Sequence, residues 1–239
     1  MSIKPLYFRV MFNKPNKTQI KRIKTSSNAY LVQNNDHLFM IDSGDGDIAE
    51  IEKACRELDQ KISDLELIII THAHWDHVAN VKKIKALTGA IIIAHQKAEP
   101  QLLKGSTSFP DGTSIFSNLL IFFIKLFSTN DGSFSPVKPD ILIKDVFNLQ
   151  NLGINGRLHS IPGHTLDSIA VIIDRKHCFV GDTMFNLFPG TVYPLFANDE
   201  HQLKQSWKNL TNYPDILTIY PGHGKPFSWN KFNKSYKKI

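Results

Sequence analysis

His72, His74, Asp76 and His77 fall within the seven-residue run Thr71-His72-Ala73-His74-Trp75-Asp76-His77. Imidazole nitrogen and carboxylate oxygen are the donors that suit zinc and other borderline first-row metals. Three later segments repeat those donor types beside glycine or proline: Ile161-Pro162-Gly163-His164-Thr165, Val180-Gly181-Asp182-Thr183 and Tyr220-Pro221-Gly222-His223-Gly224. Glycine in such places permits tight turns and unusual dihedrals where a side chain must point at an ion. A lone histidine beside glycine is ordinarily a turn residue. Four ordered segments of this kind instead point to metal-dependent chemistry, most directly the hydrolysis of an activated carbonyl.

Such donors need elements that aim them. Residues 65–70 are a near-continuous apolar run, as in a strand covered on both faces, so the first cluster leaves the end of a buried strand. Residues 76–87 have helical spacing ending at Gly89, which sets that cluster at a strand-to-helix turn. Strands are also expected over 6–12, 29–33, 37–41 and 90–94, with a helix over 47–58 capped by Asp47. The second half repeats the pattern, with strands at 141–143, 146–149, 156–161, 168–173, 177–180 and 216–220 and a helix at 200–210. Two β-rich halves with covering helices predict a layered α/β arrangement around two central sheets. No Pro/Gly/Ser linker divides them, so a single domain over 1–239 is expected.

The order H-x-H-x-D-H, G-H-T, G-D-T and G-H-G resembles the metallo-β-lactamase superfamily, with the match running from about Ala29 to Gly224. The resemblance implies a four-layer αββα sandwich of two mixed β-sheets with outer helices. It also implies that His72, His74 and His164 hold one metal, that Asp76, His77 and His223 hold a second, and that Asp182 bridges them. Ile41-Asp42-Ser43-Gly44 is similar to the family's Asp-containing turn beneath the metal loop. Two zinc ions are the expected cofactors, with iron or manganese as alternatives. Two divalent ions bring four positive charges, while Asp76, Asp182 and a hydroxide offset three. The remaining field keeps a bridging water deprotonated near neutral pH, ready to attack a carbonyl. Asp76 is the expected catalytic residue, orienting the nucleophile and accepting a proton.

The substrate class is less sharply drawn. The segments around His164 and Asp182 are similar to the glyoxalase II-like branch, which hydrolyses thioesters. Full-length members of that branch add a C-terminal helical domain with basic residues, whereas this sequence stops 15 residues after Gly224. A lactonase of the quorum-quenching type shares the metal set but carries Tyr where this chain has Phe185; Tyr193 is the alternative phenol. An iron-dependent persulfide dioxygenase is a redox alternative, and β-lactam hydrolysis a minor one.

Composition bounds the rest. The chain has 239 residues, 42% of them apolar and 21% charged, as in an ordinary globular protein. Its formal charge of +6 comes from lysines spread along the chain, which argues against nucleic acid as partner and for a small-molecule substrate. Cys55 and Cys178 build no disulfide framework, and residues 1–24 lack the apolar core of a signal peptide. A cytoplasmic location is therefore expected. The most apolar run, 119–127, is too short to span a bilayer. It lies in an insertion at about 96–139 that breaks the strand–helix rhythm. Its 115–127 stretch is expected to form a lid favouring hydrophobic acyl groups, with core packing or a homodimer contact as alternatives. The terminal lysines are expected to be a solvated basic tail.

Overall fold

The computed structural model of the chain describes residues 18–108, 112–113 and 132–238. Strands β1 (Gln19–Lys24), β2 (Asn28–Asn34), β3 (His37–Ile41), β4 (Leu65–Ile69), β5 (Ile91–His95) and β6 (Ile141–Ile143) form one sheet in that order. Its first three strands are an antiparallel meander and its last four run parallel. The second sheet follows β7 (Val146–Asn148), β8 (Gly156–Ser160), β9 (Ile169–Ile173), β10 (His177–Asn186), β11 (Thr218–Gly224) and β12 (Phe227–Ser228), again in sequence order. Only β10 and β11 pair in parallel there.

Side-chain alternation along these strands divides the core into three layers. On β2, Tyr30 and Val32 face the opposite sheet while Ala29 and Leu31 face outward. Phe39 and Ile41 on β3 and Ile169, Val171 and Ile173 on β9 complete the space between the sheets. Helices α1 (Ile48–Arg56), α3 (Val81–Thr88) and α4 (Glu99–Lys104) contribute buried residues to the outer layer of the first sheet, among them Ile51, Ile84 and Leu102. On the far side, α5 (Glu200–Leu210) and α6 (Trp229–Tyr236) bring Leu203, Trp207 and Phe232 against Ile172 and Ile219. The arrangement is the expected αββα sandwich of two mixed sheets. Cys55 and Cys178 are buried in the opposite outer layers and stay unpaired. Among the described residues no helix is long and apolar enough to cross a membrane.

Three local expectations need correction. The helix read over 76–87 is two pieces, α2 (Trp75–Val78) and α3, broken at Ala79 and Asn80. The Asn80 N–H donates to the Ser43 hydroxyl, and the Asp76 carbonyl accepts from the Ser27 hydroxyl, so outside partners replace the internal bond. The 19–24 segment, over which no strand is expected, is edge strand β1; only Ile23 along it is buried, which leaves little apolar signal. The expected basic tail contains α6, because Trp229, Phe232 and Tyr236 at i, i+3 and i+7 share one face. Phe232 is fully buried, with its ring 5.5 Å from Trp207. Phe232→Ala is expected to lower unfolding free energy by about 3–5 kcal/mol in a urea titration. A solvated tail would give a change within about 0.5 kcal/mol. The strand expected over 6–12 and the lid over 115–127 lie outside the described residues.

Candidate metal centre

The metal loop leaves β4 and is held from below by Asp42, a residue with φ of 58°. Asp42 accepts from the Thr71 N–H and from the Thr71 hydroxyl, both at 2.7 Å, and from His77 Nδ1–H at 2.8 Å. Because Thr71 gives its proton to Asp42, its Oγ1 accepts His72 Nδ1–H at 3.1 Å. His72 and His77 therefore keep their proton at Nδ1 and turn Nε2 toward the centre as the atom available to an ion. The Asp-containing turn was legible in the sequence. Asp167 was not: its buried carboxylate accepts the Ala73 N–H at 2.8 Å and pins the loop between two ligands. Its place three residues after His164 was the available signal.

The remaining candidate ligands come from the second sheet. His164 lies in the β8–β9 loop and donates Nδ1–H to the Phe196 carbonyl at 2.8 Å. Beside it Gly163 has φ of 140°, and a Cβ there would lie 2.4 Å from the Leu203 backbone. Asp182 sits where the β10–β11 register slips, between the pairs Gly181↔Pro221 and Phe185↔His223. Such an irregularity re-aims a side chain out of the regular pleat. Across from it, a Cβ on Gly222 would lie 2.0 Å from Asp182 Oδ1, so glycine alone leaves room for the carboxylate. Strand β2 reaches over to hold this end of β11. The Tyr30 hydroxyl donates to the Pro221 carbonyl at 2.7 Å, and Asn28 Nδ2 donates to Pro221 and Gly224 carbonyls at 2.9 and 2.8 Å.

All seven predicted ligands converge. One group is His72, His74, His164 and Asp182; the other is Asp76, His77 and His223. His74 Nδ1 lies 2.9 Å from His72 Nε2 and 3.1 Å from His164 Nε2. Asp182 touches both groups, with Oδ2 3.7 Å from His164 Nε2 and 3.2 Å from His223 Nε2, and Oδ1 3.2 Å from His77 Nε2. His223 Nε2 also lies 3.4 Å from Asp76 Oδ2. Two facts show that this set fits metal ions. The bare Nε2 atoms of His72 and His164 both face His74 Nδ1, which has at most one proton to share. His77 Nε2 and Asp182 Oδ1 are buried with no hydrogen-bond partner despite their closeness, so each has an unmet polar valence. A cation answers both, and the nitrogen–oxygen donors suit zinc, iron or manganese.

Burial is the largest influence on every imidazole here, and it disfavours charge. Burial, then the neighbouring His77, His74 and His164, holds His72 well below the ordinary 6.5. Burial and then His164 hold His74 down to about 3, and burial lowers His164 as well. Around the second group the carboxylates overcome burial. Asp182, Asp76 and Asp42 raise His77 well above 6.5, and Asp182 raises His223 to about 10. Burial pushes Asp182 upward too, yet His223 and His77 hold it well below the carboxylate range.

Raised histidines stabilise the fold below 6.5 and lose that contribution as pH climbs through their folded values. Lowered ones contribute above 6.5 and lose it as pH falls below. The metal-free protein is therefore expected to melt highest near pH 6.5. Its loss above 6.5 comes from His77 and His223, and its loss below from His72, His74 and His164. Because an ion displaces protons from His77 and His223, the melting-temperature gain on adding zinc is expected to widen from pH 6.5 to 8. Calorimetry of chelated and zinc-loaded samples checks this, and a gain that shrinks over that interval would contradict the assignment.

Other sequence candidates fall away from the centre. His95 is structural: its Nε2 donates to the Lys144 carbonyl at 2.7 Å and its Nδ1 accepts the Lys97 N–H. Tyr193 gives its hydroxyl to Glu200 at 2.5 Å and packs on Trp207. Phe185 is buried with its ring 4.9 Å from His223, so it supports that imidazole from the side.

The sequence profile described as the metallo-beta-lactamase superfamily matches residues 22–223. A hydroxyacylglutathione hydrolase of Francisella tularensis subsp. holarctica is 30% identical over 196 residues, covering 81% of this chain and 61% of that protein. The chain thus spans about three fifths of the length of that relative. The crystal structure of the BLEG-1 B3 metallo-beta-lactamase superposes with a TM-score of 0.66 at 19% identity, covering 89% of this chain and 95% of that one. A metallo-beta-lactamase family protein from Thermus thermophilus gives 0.66 at 16% identity, covering 92% and 77%. At such identities the structural likeness speaks for the fold.

Proposed function

The chain belongs to the metallo-beta-lactamase superfamily, and we propose that it is a dinuclear-metal hydrolase acting on an ester-like or thioester carbonyl. The observation that carries this reading is the single carboxylate of Asp182 in contact with histidines of both groups. Two ions held there, zinc by preference, would supply a deprotonated water near neutral pH and polarise the carbonyl. His72, His74 and His164 would hold one, and Asp76, His77 and His223 the other.

The chain's own residues do the positioning. Asp42 and Thr71 fix the imidazole tautomers, and Phe196 fixes that of His164. Asp76 is less enclosed than Asp182, and its Oδ2 faces His223. From there it would orient the attacking hydroxide, take its proton as the carbonyl carbon gains oxygen, and return that proton to the sulfur or oxygen that leaves. The thioester preference draws on the relative named hydroxyacylglutathione hydrolase. Phe185 and the committed hydroxyl of Tyr193 leave no free phenol to assist a lactone carbonyl from either position.

Protein purified without added metal should carry close to two zinc ions, and a screen of thioesters, lactones, phosphoesters and β-lactams on that sample should show thioester turnover. One iron per chain with oxygen consumption would replace this reading with the dioxygenase.

A further inference from the structure

We propose that the loop tip Leu187-Phe188-Pro189 and the lysine face of α6 form a docking surface for an anionic membrane. Leu187 and Phe188 are each 47% exposed, two large apolar side chains in succession just past the end of β10. Apolar groups left together in water mark a contact surface. Lysines of α6 bracket this tip. The Lys231 ammonium donates to the Asn186 side chain just before it, and the Lys238 ammonium donates to the Gly190 carbonyl just after it, at 3.4 Å. Asn186 also gives its amide to the Lys225 carbonyl at 2.7 Å, which ties that exposed lysine to the same rim.

The helix sorts its side chains by face. Trp229, Phe232 and Tyr236 pack on the core, while Lys231, Lys234 and Lys238, at i, i+3 and i+7, line a groove of about 400 Å³ together with Gly190. No carboxylate lines that groove, and among the described residues none of the three lysines is paired with one. Residues 225–238 hold five lysines and no Asp or Glu, so no neighbour along the chain offsets this charge. A Cβ on Gly190 would meet nothing within 4 Å among the described residues, so this side of the tip is open. An uncovered positive face attracts any polyanion, and the tip decides which one. Leu187 and Pro189 have no π face on which a base could stack. An apolar tip flanked by lysines instead matches a bilayer surface: acyl chains take the tip, and headgroup phosphates take the ammonium groups. The tip leaves β10 one rung past the pair Phe185↔His223, so docking would set the rim of the candidate metal centre against the lipid.

The test is flotation of the full chain with vesicles of phosphatidylcholine alone and of phosphatidylcholine mixed equally with phosphatidylglycerol. The wild type is expected to partition about a hundred-fold more strongly onto the anionic vesicles, because each of three lysines contributes about five-fold at such a surface. K231E/K234E/K238E is expected to bind them no better than neutral ones, with its melting temperature unchanged. Should that variant fail to fold, K234A/K238A carries the test through two exposed side chains, with an expected loss of about twenty-fold. L187S/F188S keeps every charge and is expected to lose about ten-fold. No preference for anionic vesicles in the wild type, or one that survives the lysine changes, would overturn the proposal. So would wild-type binding by L187S/F188S, which would leave charge attraction without a docked tip. Oligouridylate that displaces the protein from the vesicles and binds L187S/F188S as tightly as wild type would assign the face to nucleic acid instead. These measurements read binding alone, so their outcome is independent of the hydrolase reading.

Discussion

Replacing Asp182 by asparagine is expected to lower kcat/KM of the metal-loaded protein by about a thousand-fold and to cut bound metal from two ions to one or fewer. Among the described residues Asp182 is the only carboxylate in contact with both histidine groups, through His77, His164 and His223 at 3.2–3.7 Å. Asparagine keeps its shape but removes the charge and one acceptor. Losing one member of a buried charged set costs about 3–5 kcal/mol, and 4 kcal/mol corresponds to roughly three decades in rate. Metal analysis and steady-state kinetics on one preparation check both halves. Two retained ions with activity within ten-fold of wild type would remove Asp182 from the bridging role.

The second large effect concerns Asp42, which touches no ion in this assignment. Asp42→Ala strips a buried acceptor from the Thr71 N–H, the Thr71 hydroxyl and His77 Nδ1–H. Each orphaned donor costs about 1–3 kcal/mol, so a loss of roughly 4 kcal/mol in unfolding free energy is expected. Asp42→Asn separates positioning from folding. Its Oδ1 still serves the Thr71 N–H, while the new amide replaces the oxygen that His77 needs. His77 must then accept at Nδ1 and carry its proton on Nε2, the atom facing Asp182. The asparagine variant should therefore fold nearly as well as wild type yet bind metal about 10–100-fold more weakly. Denaturant titration alongside zinc titration reads the two apart. An asparagine variant with wild-type affinity would show that the tautomer of His77 is not set by Asp42.

Most of the centre was legible because its donors lie at strand ends, four of them in one short run and three beside glycines, where spacing in sequence maps simply onto space. The seven candidate residues lie close together in two groups, and Asp42 sits beneath the loop that carries four of them. The sandwich was equally readable, because strands covered on both faces write near-continuous apolar runs. What escaped notice depends on partners distant in sequence. The break between α2 and α3 follows from Ser27 and Ser43 claiming backbone groups inside a good helical pattern. Strand β1 is an edge whose exposed face is basic, so its composition resembles a solvated segment. Asp167 holds a backbone N–H 94 residues away, a relation that local spacing does not encode.

The division of the proposed ligands between the sheets has a consequence for the protein's lifetime. His72, His74, Asp76 and His77 follow β4 of the first sheet, whereas His164, Asp182 and His223 belong to the second. In the proposed assignment neither sheet holds a complete set for either ion, so each ion would join the two halves at the same rim. Asn28 and Tyr30 fasten that rim by hydrogen bonds even when no ion is bound. A ligand that binds only the folded chain withdraws it from the unfolded pool that proteases consume. Metal scarcity would then reduce the amount of this protein as well as its turnover, so its cellular abundance would follow the metal supply.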